Sequence, residues 1–476
     1  MHVQDRLYID GGWVASRGTD VIEVVSPHTE EVIGRVPDGT PADMDAAVAA
    51  ARGAFDTGPW PRMEPGERAA LMGRLSELYA ARQPEMAEII TAEMGSSITF
   101  SQIGQVPIAH AVLDFYARLA DSVAWETERP GMLGPVTVRR EPVGVTAAIV
   151  PWNTPQFLIM TKLAPALLAG CTAVVKPAPE TPLDAHLFAQ LVDEAGFPPG
   201  VVNIVPAGRE TGEHLVRHPD VDKVAFTGST AVGRRIGAIC AEQMKRCSLE
   251  LGGKSAAVIL EDADLDTYVG WLPMAAFLIS GQACGAQTRV LAPRGRFDEV
   301  VERVAAYARS ARLGDPFDPA TEIGPLVTSR QRDRVEGYIR LGQEEGAKLV
   351  AGGGRGGFDR GWYVEPTVFA GDNSMRIARE EIFGPVLVVI PYEDEDEAIR
   401  IANDSEYGLC GSVWTADERH GMEVARRIRT GVCGVNMFIL DPASPFGGVK
   451  ASGVGRELGP EGLDGYLEYK SIPRTG

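Results

Sequence analysis

Two residues in this chain have the clearest capacity for chemistry. Glu250 stands in Leu249-Glu250-Leu251-Gly252-Gly253-Lys254, and Cys284 ends Ser280-Gly281-Gln282-Ala283-Cys284, 34 positions further on. An unperturbed thiol has a pKa of about 8.5 and is only a few per cent thiolate at pH 7, so a nucleophilic cysteine needs a base. A carboxylate folded back against it can take that proton, or a proton from water. The small neighbours Ala283 and Gly285 leave the sulfur open to a carbonyl carbon. An isolated Cys/Glu pair is usually no more than a buried thiol and a surface acid. Here the surrounding motifs decide the reading.

The elements that must position this pair begin at Val143, where a strand–helix alternation sets in. Apolar runs at 146–150, 172–176, 201–205 and 223–226 are separated by helix-length segments. That pattern predicts a parallel sheet of βαβ units, and such sheets bind ligands at the carboxyl ends of their strands. The first run ends in Pro151-Trp152-Asn153 and the second in Lys176-Pro177. The fourth ends in Thr227-Gly228-Ser229-Thr230-Ala231-Val232-Gly233. This last motif reads as a glycine turn into a helix, suited to holding a pyrophosphate by backbone N–H groups. Alone it serves equally well as a helix N-cap. With Lys176, a cation able to reach ribose hydroxyls or phosphate, it becomes a dinucleotide signal.

Glu-Leu-Gly-Gly-Lys at 250–254 and Gly-Gln-x-Cys at 281–284 resemble the two signatures of the aldehyde dehydrogenase superfamily, and the likeness runs through nearly the whole chain. The resemblance implies an α/β fold in three parts. Residues 1–121 and 141–251 form a Rossmann-like dinucleotide-binding domain. Residues 252–453 form a second α/β, catalytic domain with the nucleophilic cysteine. Residues 122–140 and 454–476 form a β-hairpin oligomerisation arm, although from sequence alone 122–142 also fits an ordinary edge hairpin. The implied reaction is oxidation of an aldehyde to the carboxylic acid with NAD or NADP. Cys284 is the implied nucleophile, Glu250 the base that activates water to hydrolyse a thioester, and Asn153 the oxyanion donor. Lys162 and Glu457 match a proton relay proposed in some relatives. Val150, Pro151, Trp152, Lys176, Ala178, Pro179, Gly228, Ser229, Gly233, Leu251, Glu381 and Phe383 fall to the cofactor, and Thr154, Leu158, Thr161 and Phe446 to the substrate. No metal is implied. One departure bears on the cofactor. Many NAD-preferring relatives carry a glutamate three residues after the lysine, where this chain has Pro179 and then Glu180, which leaves NADP open. Positions often aromatic in the family are Thr154, Leu158 and Thr161 here. They point to a roomy apolar channel for a medium-sized uncharged aldehyde, without an aromatic cage for a quaternary ammonium.

Composition sets the outer bounds. A chain of 476 residues with 45% apolar and 23% charged residues predicts a soluble protein of two or three domains. A net charge of −19 makes a nucleic acid an improbable partner. No apolar run reaches the length of a membrane span, and no signal peptide is read at the start. Six scattered cysteines without a C-x-x-C pair suit reduced thiols in a cytoplasm. Apolar periodicity predicts helices over 66–94, 102–120, 297–312 and 329–345, and a helix from about Asp264 leading into Cys284. Gly352–Gly357 reads as a surface loop and Asp394–Glu397 as a solvated face. A small-molecule aldehyde and a homodimer or homotetramer are the expected partners. The rival readings are a CoA-acylating relative, a cysteine hydrolase, and a catalytically silent protein on the same scaffold.

Overall fold

The computed structural model describes residues 2–475. Two large sheets organise it. In the first, five parallel strands run in the order 246–250, 223–227, 145–149, 172–176 and 202–204, with antiparallel strands Gly453–Val454 at one edge and Arg6–Ile9 then Gly12–Ala15 at the other. The second has seven strands, in the order 348–351, 367–370, 386–392, 289–293, 256–259, 410–414 and 432–435, parallel except for the first. The central strands of both are buried on each face, as a parallel sheet covered by helices must be. A third sheet pairs Glu126–Pro130 with Pro135–Pro142, and that strand with Leu467–Pro473 over seven residue pairs. Strand Gly453–Val454 joins the first sheet, so the segment after 453 passes through that sheet before reaching the hairpin.

Chain order in the first sheet reverses between strands 145–149 and 223–227, and their carboxyl ends therefore flank a crevice. The chain leaves strand 246–250 through Leu251-Gly252-Gly253 and enters the second sheet at Ala256, so the carboxyl edge of one sheet meets the amino edge of the other. Cys284 precedes strand 289–293 and Glu381 precedes strand 386–392, which puts both at that same seam.

Several elements differ from the sequence reading. The helical pattern over 66–94 is two helices, Pro65–Ala81 and Gln83–Met94, broken at Arg82. A π-helical turn at Ser101–Gln105 precedes helix Val106–Leu119; a helix with an inserted residue still shows an apolar stripe. The helix from Asp264 stops at Ala275 and does not lead into Cys284. A tight turn with left-handed Ile279, Ser280 and Gly281 intervenes. Asp394 is more than solvated surface, because its carboxylate accepts from Glu397 N and caps helix Glu395–Asn403.

Candidate active site

Two cavities meet at the seam. One, of 450 Å³, is lined by Pro151, Trp152 and Asn153 from one strand end, Thr227, Gly228 and Ser229 from the next, Leu251 and Gly252, then Cys284, Glu381 and Phe383, with Arg330, Gln331 and Arg334 closing one side. The other, of 430 Å³, is an apolar tunnel that includes Thr154, Leu158, Phe438 and Phe446, with Glu250 in its wall. Asn153, Thr227 and Cys284 line both. A reacting atom delivered by either cavity therefore arrives at the same thiol.

Cys284 is held by the left-handed turn before it. Gly281 has φ +71°, and any side chain there would collide with the Gly384 carbonyl. The thiol is pushed up to about 12 by burial first, with the negative charges of Glu381 and Glu250 adding to the effect. At rest the sulfur is protonated. Asn153 Nδ2 donates to the Gln282 carbonyl at 3.0 Å, and its Oδ1 has no partner. That bond ties the amide to the segment carrying the nucleophile and leaves the second N–H hydrogen free.

Glu250 ends its strand, where its main chain pairs with Gly453. It is 2% exposed, and neither carboxylate oxygen has a hydrogen-bond partner. Burial, then the nearby Glu457, push its pKa well above the ordinary carboxylate range, against the pull of Lys162 and Arg456. Gly447, at φ +146°, lies so close that a Cβ would sit 2.6 Å from Glu250 Oε1. Behind the tunnel, Lys162 donates to Thr227 Oγ1 at 2.6 Å and forms a 2.7 Å ion pair with Glu457, both side chains almost fully buried. Glu457 is itself locked to the tunnel wall by paired backbone hydrogen bonds with Phe446, each 2.7 Å.

The 450 Å³ cavity has the features a dinucleotide needs. Ser229, at the N-cap of helix Thr230–Glu242, makes no side-chain capping bond, so N–H groups of the first turn stay available to an anion. Gly233 lets that helix press against Leu251, since a Cβ there would strike the leucine methyls. Glu381 accepts from Gly253 N at 2.9 Å, and burial raises its pKa to about 7. Trp152 and Phe383 meet edge to face with ring centroids 5.4 Å apart, Phe383 in the left-handed region at φ 63°. A strained non-glycine residue of this kind is typical of a functional site.

Not every expected residue reaches a cavity wall. Thr161 is buried and bonds back to the Leu158 carbonyl, so it does not line the tunnel with Thr154 and Leu158; on the helix it faces inward. Val150, Ala178, Pro179 and Gly233 lie behind the 450 Å³ cavity, outside its lining. Lys176 does not extend toward it either. Its ammonium donates to the Pro177 and Ala207 carbonyls at 2.9 and 2.8 Å, and burial lowers its pKa to about 8. Glu180 is met by Arg330 at 3.4 Å, which sets a cation beside the carboxylate.

Sequence reasoning missed four residues. Thr227 joins both cavities to Lys162, and its place before Gly228 at a strand end was the available signal. Gln331 and Arg334 reach from a distant helix to brace the Ile382 and Phe383 carbonyls, which no local pattern announces. Lys254, in the 250–254 motif itself, is fully buried without a partner for Nζ, and burial lowers its pKa to about 7.

Known proteins match this architecture along its length. A geranial dehydrogenase of Castellaniella defragrans is 49% identical over 99% of this chain and 98% of its own. The human mitochondrial aldehyde dehydrogenase is 42% identical over 98% and 91%. An aldehyde dehydrogenase of Mycobacterium tuberculosis, solved with NAD+, superposes with a TM-score of 0.98 at 50% identity, covering 100% of this chain and 99% of that one. Aldehyde dehydrogenase C of Pseudomonas syringae, solved with NAD+ and octanal, gives 0.95 at 45% identity, covering 98% and 96%. The profile described as "Aldehyde dehydrogenase family" matches residues 13–472, and this chain belongs to that family of oxidoreductases, which convert aldehydes to carboxylic acids with NAD or NADP.

Proposed function

We propose that this enzyme oxidises a medium-sized, uncharged, apolar aldehyde in the cytoplasm, with Cys284 as nucleophile and Glu250 as the base for deacylation. The single observation that carries the reading is the convergence of two cavities, one apolar and one walled by nucleotide-type motifs, on Cys284, Asn153 and Thr227. A relative named geranial dehydrogenase and one solved with octanal, both uncharged aldehydes, support the same substrate class.

The geometry supports a role for each residue. Cys284 Sγ attacks the carbonyl carbon of an aldehyde in the tunnel after losing its proton toward Glu250. The free Asn153 Nδ2–H and the Cys284 backbone N–H donate to the oxyanion that develops. Gly228, Ser229 and Leu251 hold the dinucleotide, while Glu381 and Phe383 position its nicotinamide end. When bound, that cofactor accepts the hydride lost from carbon. The acyl group then remains on Cys284 as a thioester. Glu250, in the tunnel wall beside it, takes a proton from water as the water adds. Lys162, Thr227 and Glu457 form a buried route by which that proton leaves Glu250. Retention of Glu250 favours water over CoA as the acyl acceptor. The sheet of 126–130, 135–142 and 467–473 is the arm through which copies assemble as a homodimer or homotetramer.

Purified protein given octanal and NAD or NADP should produce absorbance from the reduced cofactor, and Cys284→Ser should abolish it while cofactor affinity stays within a few-fold. Substantial turnover in that variant would remove Cys284 from the chemistry.

A further inference from the structure

The apolar tunnel does not stop at its mouth. A second hollow of 210 Å³ lies beside it, and four side chains, Phe100, Ile103, Met274 and Leu278, line both. Ile103 is 73% exposed and Met274 36%. Together they form an uncovered apolar rim between the two spaces, which a soluble protein keeps for contact with something apolar. Beyond the rim the lining includes apolar Pro273, Phe277, Pro319, Ala320 and Ile323, with Tyr307, the exposed Glu322 and serine and threonine side chains also on the wall.

Both special turns of the fold hold this rim. In the π-helical turn at Ser101–Gln105, Gly104 has no side chain because the Phe100 ring occupies that space. In the left-handed turn after Leu278, the Ser280 hydroxyl donates to the Gly324 carbonyl at 2.8 Å and fixes the hollow's far wall. The turn after Leu278 holds Ile279 and Ser280 in the left-handed region, the kind of strain that persists where the surroundings enforce it.

We propose that the hollow is a subsite for the distal tail of a long-chain apolar aldehyde, the tail crossing the Ile103–Met274 rim while its carbonyl stays at Cys284. The proposal rests on the aldehyde reading of the tunnel and extends it to substrates longer than the tunnel itself. Each methylene that enters the hollow leaves water, and its burial raises kcat/KM about fourfold.

The test is a homologous series from hexanal to tetradecanal, each below its solubility limit, assayed in the full-length enzyme with saturating cofactor. For the wild type, kcat/KM should keep rising from decanal to dodecanal and tetradecanal. Ala320→Trp, on the exposed side of the hollow, plugs it and should lower the dodecanal-to-hexanal ratio of kcat/KM at least tenfold. Ala320→Leu, a smaller plug that tests the same point should the indole disturb the loop, should lower it less. A wild-type profile that falls beyond decanal, or ratios within twofold of wild type in both variants while hexanal is still oxidised, overturns the subsite alone. If hexanal is not oxidised either, the aldehyde reading falls and the subsite falls with it.

Discussion

Burial disfavours the anions of both Cys284 and Glu250, so each pKa is raised and each group stays protonated to higher pH than an exposed thiol or carboxylate. The neutral acid cannot accept a proton, so kcat/KM should rise as pH climbs through the raised pKa of Glu250. Glu457 is the second cause of that raised value. Glu457→Gln removes this negative charge and leaves Lys162 positive nearby, so both changes favour the Glu250 anion. The acid limb of the pH–rate profile should therefore move to lower pH, and a limb that stays put would exclude Glu457 from the coupling. Breaking the buried ion pair also costs stability, about 3–5 kcal/mol, visible as a lower melting temperature. Glu250→Gln differs in kind. Where acylation survives, it should give a burst of reduced cofactor and then slow turnover, and the absence of a burst would place Glu250 before hydride transfer. Cys284, Glu250 and Asn153 could be singled out in the sequence because each sits in a short motif, and the structure brings Cys284 and Asn153 to the junction of the two cavities with Glu250 in the tunnel wall. The buried Lys162–Glu457 pair was legible only through resemblance, since the two lie 295 positions apart.

At the scale of elements, the seam depends on turns more than on helices. The left-handed run Ile279–Gly281 aims Cys284 at the junction of the two cavities. In Gly281→Ala the new methyl disfavours the left-handed backbone by about 1 kcal/mol and meets the Gly384 carbonyl. The segment must shift, and displacing a reacting group by about 1 Å costs on the order of 100-fold in rate. We expect a loss of that size with the fold intact by circular dichroism; near-normal kcat would show that the turn does not set the thiol's position. The strands 145–149, 172–176, 202–204 and 223–227 lie within a residue of the four apolar runs read from the sequence, because buried strands read as short apolar runs. The turn was not legible. A run such as Phe277-Leu278-Ile279-Ser280 carries no propensity for positive φ, and only Gly281 hinted at it. Packing against the loop at Gly384 imposes the conformation from outside.

At the scale of the whole molecule, the arm ends in two fully solvated apolar side chains, Met132 at 101% and Leu133 at 94% exposure. If the arm joins copies of the chain, the double variant Met132→Glu, Leu133→Glu should lower the mass found by light scattering, with the melting temperature of the body little changed. An unchanged mass would return the hairpin to the ordinary edge ribbon that the sequence also allowed. The alternating pattern of 122–142 and 465–470 exposed the arm's strands because period-two patterning is local. The path between them was less readable. Gly453–Val454 adds an edge strand to the first sheet, and Glu457, just after it, pairs with Lys162, because tertiary contacts outweigh any boundary drawn along the chain.

That late edge strand bears on how the chain is made. Glu250's strand borders Gly453–Val454, and Ser452 bonds to Gly252 across 200 positions of sequence. A ribosome therefore makes Glu250, and then Cys284, long before the strand that borders Glu250. A product cut short by a stalled ribosome or a premature stop carries every short motif of the site and still lacks its closing wall.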